Sequence, residues 1–167
     1  MDWVHVHLIL NHVPVVGTVI AALVLGAGMI GRNRDVVRVA LWLLVLMAPT
    51  TAVVYLTGEP TEEAVEGLAG FSEAAMESHE EAALVATIIA AMAGLAALGG
   101  LFSVPRSDSF PGRVSLLVLL VALGSGGAMA YTANLGGEIR HSEIRAGDQA
   151  RLPAAERGEE RGEEKER

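Results

Sequence analysis

The sequence contains no cysteine. This excludes disulfides, thiolate metal sites, iron–sulfur clusters and covalently attached haem, and leaves the redox compartment open. Charge is missing in a more informative way. Apart from Arg38 near one edge, no Asp, Glu, Lys or Arg occurs in four windows, 8–30, 36–57, 82–102 and 114–135. With no ionisable acid or base deep inside them to mark an ion path, a transporter or channel is disfavoured. A basic patch with interleaved aromatics is missing too, so no nucleic acid is expected as a partner. There is no convincing internal repeat.

What is present is segregated. Of the 167 residues, 51% are apolar, and the charges crowd between the four windows and after them. That is the pattern of a polytopic membrane protein rather than a soluble globule. The net charge of −8 therefore describes one loop and a tail, not a charged globular surface. Each window has the ~20 residues that a helix needs to cross a bilayer. A bilayer offers backbone groups no other partners, so each window is expected to be α-helical. The first is read as a retained helix rather than a signal peptide, because Asp2 stands where a basic segment belongs and positive charge follows the apolar run.

Residues 31–37 carry Arg32 and Arg34 with Arg38 behind them, and 103–113 carry Arg106 and Arg113. The stretch 58–81 has no Lys or Arg, but carries Glu59, Glu62, Glu63, Glu66, Glu73, Glu77, Glu80 and Glu81. The positive-inside rule places the arginine loops in the cytoplasm and both termini outside. Within the glutamate loop, Pro60 suits a first helical turn, and Val65, Leu68, Phe71 and Met76 recur at helical spacing. The expectation is a short amphipathic helix on the membrane surface, bending near Gly70 into the third membrane helix. Residues 146–167 read as a disordered, mixed-charge tail. Ala82, Ala86, Ala90 and Gly94, and likewise Gly126, Ala130 and Asn134, form small-residue stripes that permit close helix packing. Pro14 and Pro49 are tolerable inside such helices and mark expected kinks.

In an up-down-up-down bundle, the start of the first span, the end of the second, the start of the third and the end of the fourth share one membrane face. All five histidines fall at these points: His5, His7, His12, His79 and His141. Most of the glutamates lie on the same side. His12 lies deepest in its window, beside Asn11, and a polar group there is expected to face the bundle. His5 and His7 read as interfacial. Glu138 and His141 stand at i, i+3 and leave one helix face together, with Asn134 a turn earlier. The expected ligands are His12, His79 and His141, with the carboxylates Glu77, Glu80 and Glu138 binding or orienting them.

Two centres fit this donor set. One is a non-haem metal, iron, zinc or manganese, because imidazole and carboxylate suit these ions and Glu-x-x-His is the ligand pattern of four-helix di-iron proteins. Only one copy of that pattern occurs here. The other is haem b with two axial histidines, such as His12 with His79 or His141. In that case Gly124, Gly126, Gly127, Gly136 and Gly137 make room for the porphyrin, and Arg140 or Arg145 pairs with propionates. A third class has no cofactor and makes the chain a structural docking subunit of a larger membrane complex.

The segments HLILNHVPVVG (7–17), YLTGEP (55–60), ESHEEAA (77–83) and TANLGGEIRHSEIR (132–145) resemble a group of bacterial four-helix membrane proteins, the family called domain of unknown function 2231. The resemblance covers most of the chain up to about Arg145. It implies histidines near the start of the first helix and before the third, and a glycine-rich end to the fourth. These match His7, His12, His79 and the stretch from Gly136 to His141. Some members of that family are fused to Rieske-type domains, which implies a redox setting.

The expectation is thus an all-α membrane protein, a four-transmembrane-helix bundle over 1–145, in the cytoplasmic membrane. Its outward face would hold the metal or haem centre and serve electron transfer or redox support of a membrane complex. The expected partners are the lipid bilayer and a membrane or redox protein, and homo-oligomerisation stays open.

Overall fold

The computed structural model describes residues 2–103, 112–141 and 144–145. The loop that carries Arg106 and the tail 146–167 lie outside the described residues. The described chain is all-helical: α1 (Trp3–Leu10), α2 (His12–Ile30), α3 (Arg34–Leu56), α4 (Gly58–Val65), α5 (Glu73–Ser103) and α6 (Gly112–Arg140). Four helical stretches are long and apolar enough to cross a membrane, and the chain is a multi-pass membrane protein. The stretches Trp3–Ile30, Arg34–Val65, Glu73–Phe102 and Gly112–Arg140 correspond one to one with the four uncharged windows.

The helices overrun those windows at the end where the histidines lie. α5 starts at Glu73 and α6 runs on to Arg140. Glu, Ala and Met are good helix formers, and carboxylates are favourable at a helix N-terminus, so the charged flank of α5 extends the helix instead of ending it. The loop helix is real but shorter than the apolar spacing suggests. α4 stops at Val65, and Gly67 (φ 73°) and Gly70 (φ 89°) take left-handed conformations that glycine adopts freely. Leu68 and Phe71 belong to this turn, and Met76 already belongs to α5.

Two breaks follow from proline. Pro14 has no N–H for the carbonyl four residues earlier, and α1 gives way to α2 at Asn11. Pro60 does the same to α3, which gives way to α4 at Thr57. Pro49 lies inside α3 without ending it.

The long helices form a closed ring in which α2 packs on α3 and α6, and α5 packs on the same two. At the α2–α3 turn, Asn33 caps α3 by accepting from the N–H groups of Asp35 and Val36. Gly28 lets α2 touch the start of α3, since a Cβ there would stand 2.9 Å from the Val37 nitrogen. Gly94 does so between α5 and α3, where a Cβ would meet that of Ala48 at 2.5 Å. The α5 stripe thus faces the bundle, with Ala86 and Ala90 also buried. The α6 stripe does not: Gly126 is buried, but Ala130 and Asn134 are exposed. The inward face of α6 runs through Ser115, Val118, Ala122, Ser125 and Met129.

The core differs between the two ends. Towards Arg34 and Arg113, the arginine end, Leu25, Val37, Leu41, Leu44, Ala97 and Val118 form one apolar cluster. Towards the other end the core narrows to Ala86, Ala90 and Met129, with buried Thr18, Thr51 and Ser125 among the helices.

Candidate functional site

The histidine end is built by the starts of α1 and α5, the end of α3 with α4, and the end of α6. Asp2 caps α1: one carboxylate oxygen accepts from the His5 main-chain N–H at 2.9 Å and pairs with His5 Nδ1 at 2.8 Å. The Thr61 hydroxyl of α4 donates to the Thr57 carbonyl at 2.7 Å, and the same oxygen lies 3.4 Å from the Trp3 carbonyl where the two short helices pack on one another. Opposite them, the N–H of Ser72 donates to the Ile139 carbonyl and fixes the start of α5 on the end of α6. Arg140 reaches back over this joint. Its Nη1 donates to the Gly70 carbonyl, and its guanidinium lies 5.3 Å from the Phe71 ring centroid. Arg145 donates to the carbonyls of Glu138 and Ile139, which satisfies the open end of α6.

Two half-buried imidazoles lie inside this frame. His7 Nδ1 lies 3.1 Å from the Val54 carbonyl and 3.1 Å from Thr57 Oγ1, and the Thr57 hydroxyl itself donates to Val54. His79 Nδ1 lies 2.9 Å from the Thr132 carbonyl. The two rings are within electrostatic range of one another. A carbonyl oxygen only accepts, so in both rings Nδ1 carries the proton. When neutral, each ring then presents Nε2 as a lone-pair donor. That is the tautomer and the anchoring pattern of metal-ligating histidines.

Glycine gives these rings their room. A Cβ on Gly136 would stand 3.0 Å from His79 Cε1, and one on Gly58 would touch His7 Cε1 at 3.8 Å. One turn below His7, Asn11 Oδ1 is buried with no hydrogen-bond partner among the described residues. Imidazole nitrogen is a donor that a metal ion or haem iron accepts, so His7 and His79 are the side chains of this end whose chemistry suits such a group.

The residues expected from sequence are not gathered in one place. His79 is at the site. His12 is exposed, on a stripe of α2 that also shows Val16, Val19 and Leu23. The register explains it: Thr18, Ala21, Ala22 and Leu25 face the core, and the face they define runs back through Pro14 and Asn11 to His7. His141 is exposed beyond α6, its N–H bonded to the Gly137 carbonyl. Glu138 is half-buried and accepts from the Asn134 side chain at 2.9 Å. Glu77 and Glu80 are exposed, and Glu80 with Glu59 lies within electrostatic range of Glu62. Among the described residues, no three His, Asp or Glu side chains stand together as a metal-binding group. His7, expected to be interfacial, is half-buried and held by Val54 and Thr57, which carry no signal in the sequence.

Comparison with family models, with curated proteins and with solved structures finds no match.

Proposed function

We propose that this membrane bundle holds a metal centre, as a bare ion or as haem iron, between His7 and His79, and serves electron transfer or redox support of a membrane complex. The observation that carries the reading is that both imidazoles donate Nδ1–H to main-chain carbonyls, which leaves each Nε2 a lone-pair donor when the ring is neutral. Val54, Thr57 and Thr132 hold the rings in orientation and fix their tautomer. Gly58 and Gly136 leave space beside them. The exposed glutamates Glu77 and Glu80 supply negative potential at the mouth, which favours a cation. When bound, such a centre supplies one-electron chemistry. His12, His141, Glu138 and Arg140 then lie around the site rather than in its innermost layer.

The histidine end is assigned to the outer face of the cytoplasmic membrane, with both termini outside. This is supported by Arg32, Arg34, Arg38 and Arg113, all at the opposite end.

The test is an absorption spectrum, oxidised and dithionite-reduced, with elemental analysis of the same detergent-purified protein. Stoichiometric metal, or a Soret band with a sharp reduced α-band, is expected, and each is lost in His7→Asn and in His79→Asn. Neither metal nor haem in protein purified without chelator overturns the reading. It would leave the docking subunit.

A further inference from the structure

We propose that α1 and α4 form a lid at the histidine end that opens as one unit, latched by the ring of His7. The lid stands on packing and on the helix breaks, while its role in admitting a metal to the imidazoles rests on the two-histidine reading above.

Each long helix sinks side chains into the core, among them Leu25 of α2, Leu44 of α3, Ala90 of α5 and Ala122 of α6. Neither α1 nor α4 buries a single residue. The two pack chiefly on one another. A segment with no side chain in the core opens at far less cost than the whole domain. Because they share their main contact, moving one of them alone would leave that face of the other uncovered.

The two breaks are alike. Asn11 separates α1 from α2 and Thr57 separates α3 from α4, and in each case a proline, Pro14 or Pro60, stands three residues further on. The carbonyls deprived of their donor four residues later are those of Leu10 and Leu56, the last residues before the breaks. Rotation there gives up fewer ladder bonds than in an unbroken helix. At the first break Asn11 Oδ1 is buried with no hydrogen-bond partner among the described residues. An orphaned acceptor costs the closed state free energy, and opening hydrates it.

What holds the lid down is a side chain. His7 stands on α1, and its Nδ1 reaches the Val54 carbonyl of α3 and Thr57 Oγ1 at the second break, each at 3.1 Å. One ring thus bridges the first broken span to the second. Gly58, the first residue of α4, lies against the same ring, where a Cβ would stand 3.8 Å from His7 Cε1. Opening has to release His7 from these partners.

The test is hydrogen exchange of the full chain in detergent, prepared without metal, so that it bears on the lid whether or not a centre forms. Amides of 7–10 and 62–65 are expected to share one protection factor, below that of the long helices. Glu63 is exposed on α4, so glycine there acts on that helix alone. Glu63→Gly, set against Glu63→Ala, should lower protection in α4 by about 5-fold, the equilibrium equivalent of the helix-interior glycine penalty. In a shared opening the same loss appears in α1, which the substitution does not touch. His7→Phe keeps a ring without a donor, and should lower protection in both helices by the ~2–10-fold that one hydrogen bond is worth. Unchanged exchange in α5 and α6 controls for folding of each variant. A loss confined to α4 in Glu63→Gly, or protection of α1 equal to that of α2, overturns the lid. Unchanged exchange in His7→Phe overturns the latch. A shared loss in protein that binds no metal upholds the lid and overturns the two-histidine centre alone.

Discussion

His7 and His79 come from helices that stand diagonally across the bundle, and each is anchored by Nδ1 on a main-chain carbonyl of a neighbouring helix. The pair therefore spans one of the two diagonals of the ring. Its two anchors, Val54 and Thr132, lie on the helices that separate them.

Asparagine separates the structural from the ligating role of each ring, since its amide nitrogen stands close to where Nδ1 does and nothing replaces Nε2. His79→Asn is expected to keep thermal stability to within about 1 kcal/mol of wild type. His79→Ala should cost about 1–3 kcal/mol, because it leaves the Thr132 carbonyl unpaired. Metal content should be lost in both. Melting in detergent with elemental analysis of the same samples checks this, and equal destabilisation by the two variants would contradict it.

Gly136→Ala places a methyl group 3.0 Å from His79 Cε1 and must displace the ring. Reduced metal occupancy is expected, with a modest change in melting temperature. Gly127→Ala, where a Cβ meets nothing within 4 Å, should leave both unchanged.

At the α3–α5 crossing the constraint concerns packing alone. Gly94→Val drives a branched side chain into Ala48 and should destabilise the bundle by about 1–3 kcal/mol. A denaturation series in mixed micelles measures the loss.

The Asp2 carboxyl is held below its ordinary value of 3.8, first by the main-chain N–H of His5 and then by the His5 ring. A depressed carboxylate stabilises the fold above its unfolded value, and that contribution is lost as pH falls through the lower, folded value. Amides in the first turn of α1 should therefore lose protection as pH drops below 3.8, after correction for intrinsic exchange. Asp2→Asn keeps a capping oxygen that does not titrate, and should abolish that dependence.

Arg140→Ala removes the Phe71 contact and the Gly70 bond together. Contacts of this kind contribute about 0.5–1 kcal/mol at exposed sites. Faster limited proteolysis across 67–72, with little change in global melting, is the expected outcome.

The membrane fold was legible because charge is costly in a bilayer, and its absence from four windows needs no tertiary information. That the histidines share one end of the bundle was legible too, since an up-down path forces alternate ends together. The choice among the first-helix histidines was less so. Depth pointed to His12, but helix register decides orientation. The inward stripe of Thr18, Ala21, Ala22 and Leu25 was present in the sequence, and extending it backwards through Pro14 and Asn11 reaches His7. The anchors Val54 and Thr132 had no sequence signal, because it is their main-chain carbonyls that bind and any residue type supplies those. On α6, Ala130 and Asn134 looked like a packing stripe by size alone, while the face actually used is set by Ser115, Val118, Ala122 and Ser125.

The two proline breaks give the molecule two mechanical parts. The ladder of each of the first two spans is interrupted next to the site, at Asn11 and at Thr57, and the freed segments α1 and α4 pack on one another. A tilt of this paired cap bends the chain at joints where a hydrogen bond is already missing, so it leaves the ring of long helices undisturbed. His7 does not travel freely with it, because its ring is held to Val54 at the end of α3 as the ring of His79 is held to Thr132 of α6. The joint next to Asn11 is therefore spanned by a side chain, and the His7 anchor is the first bond that a tilt of the cap would strain.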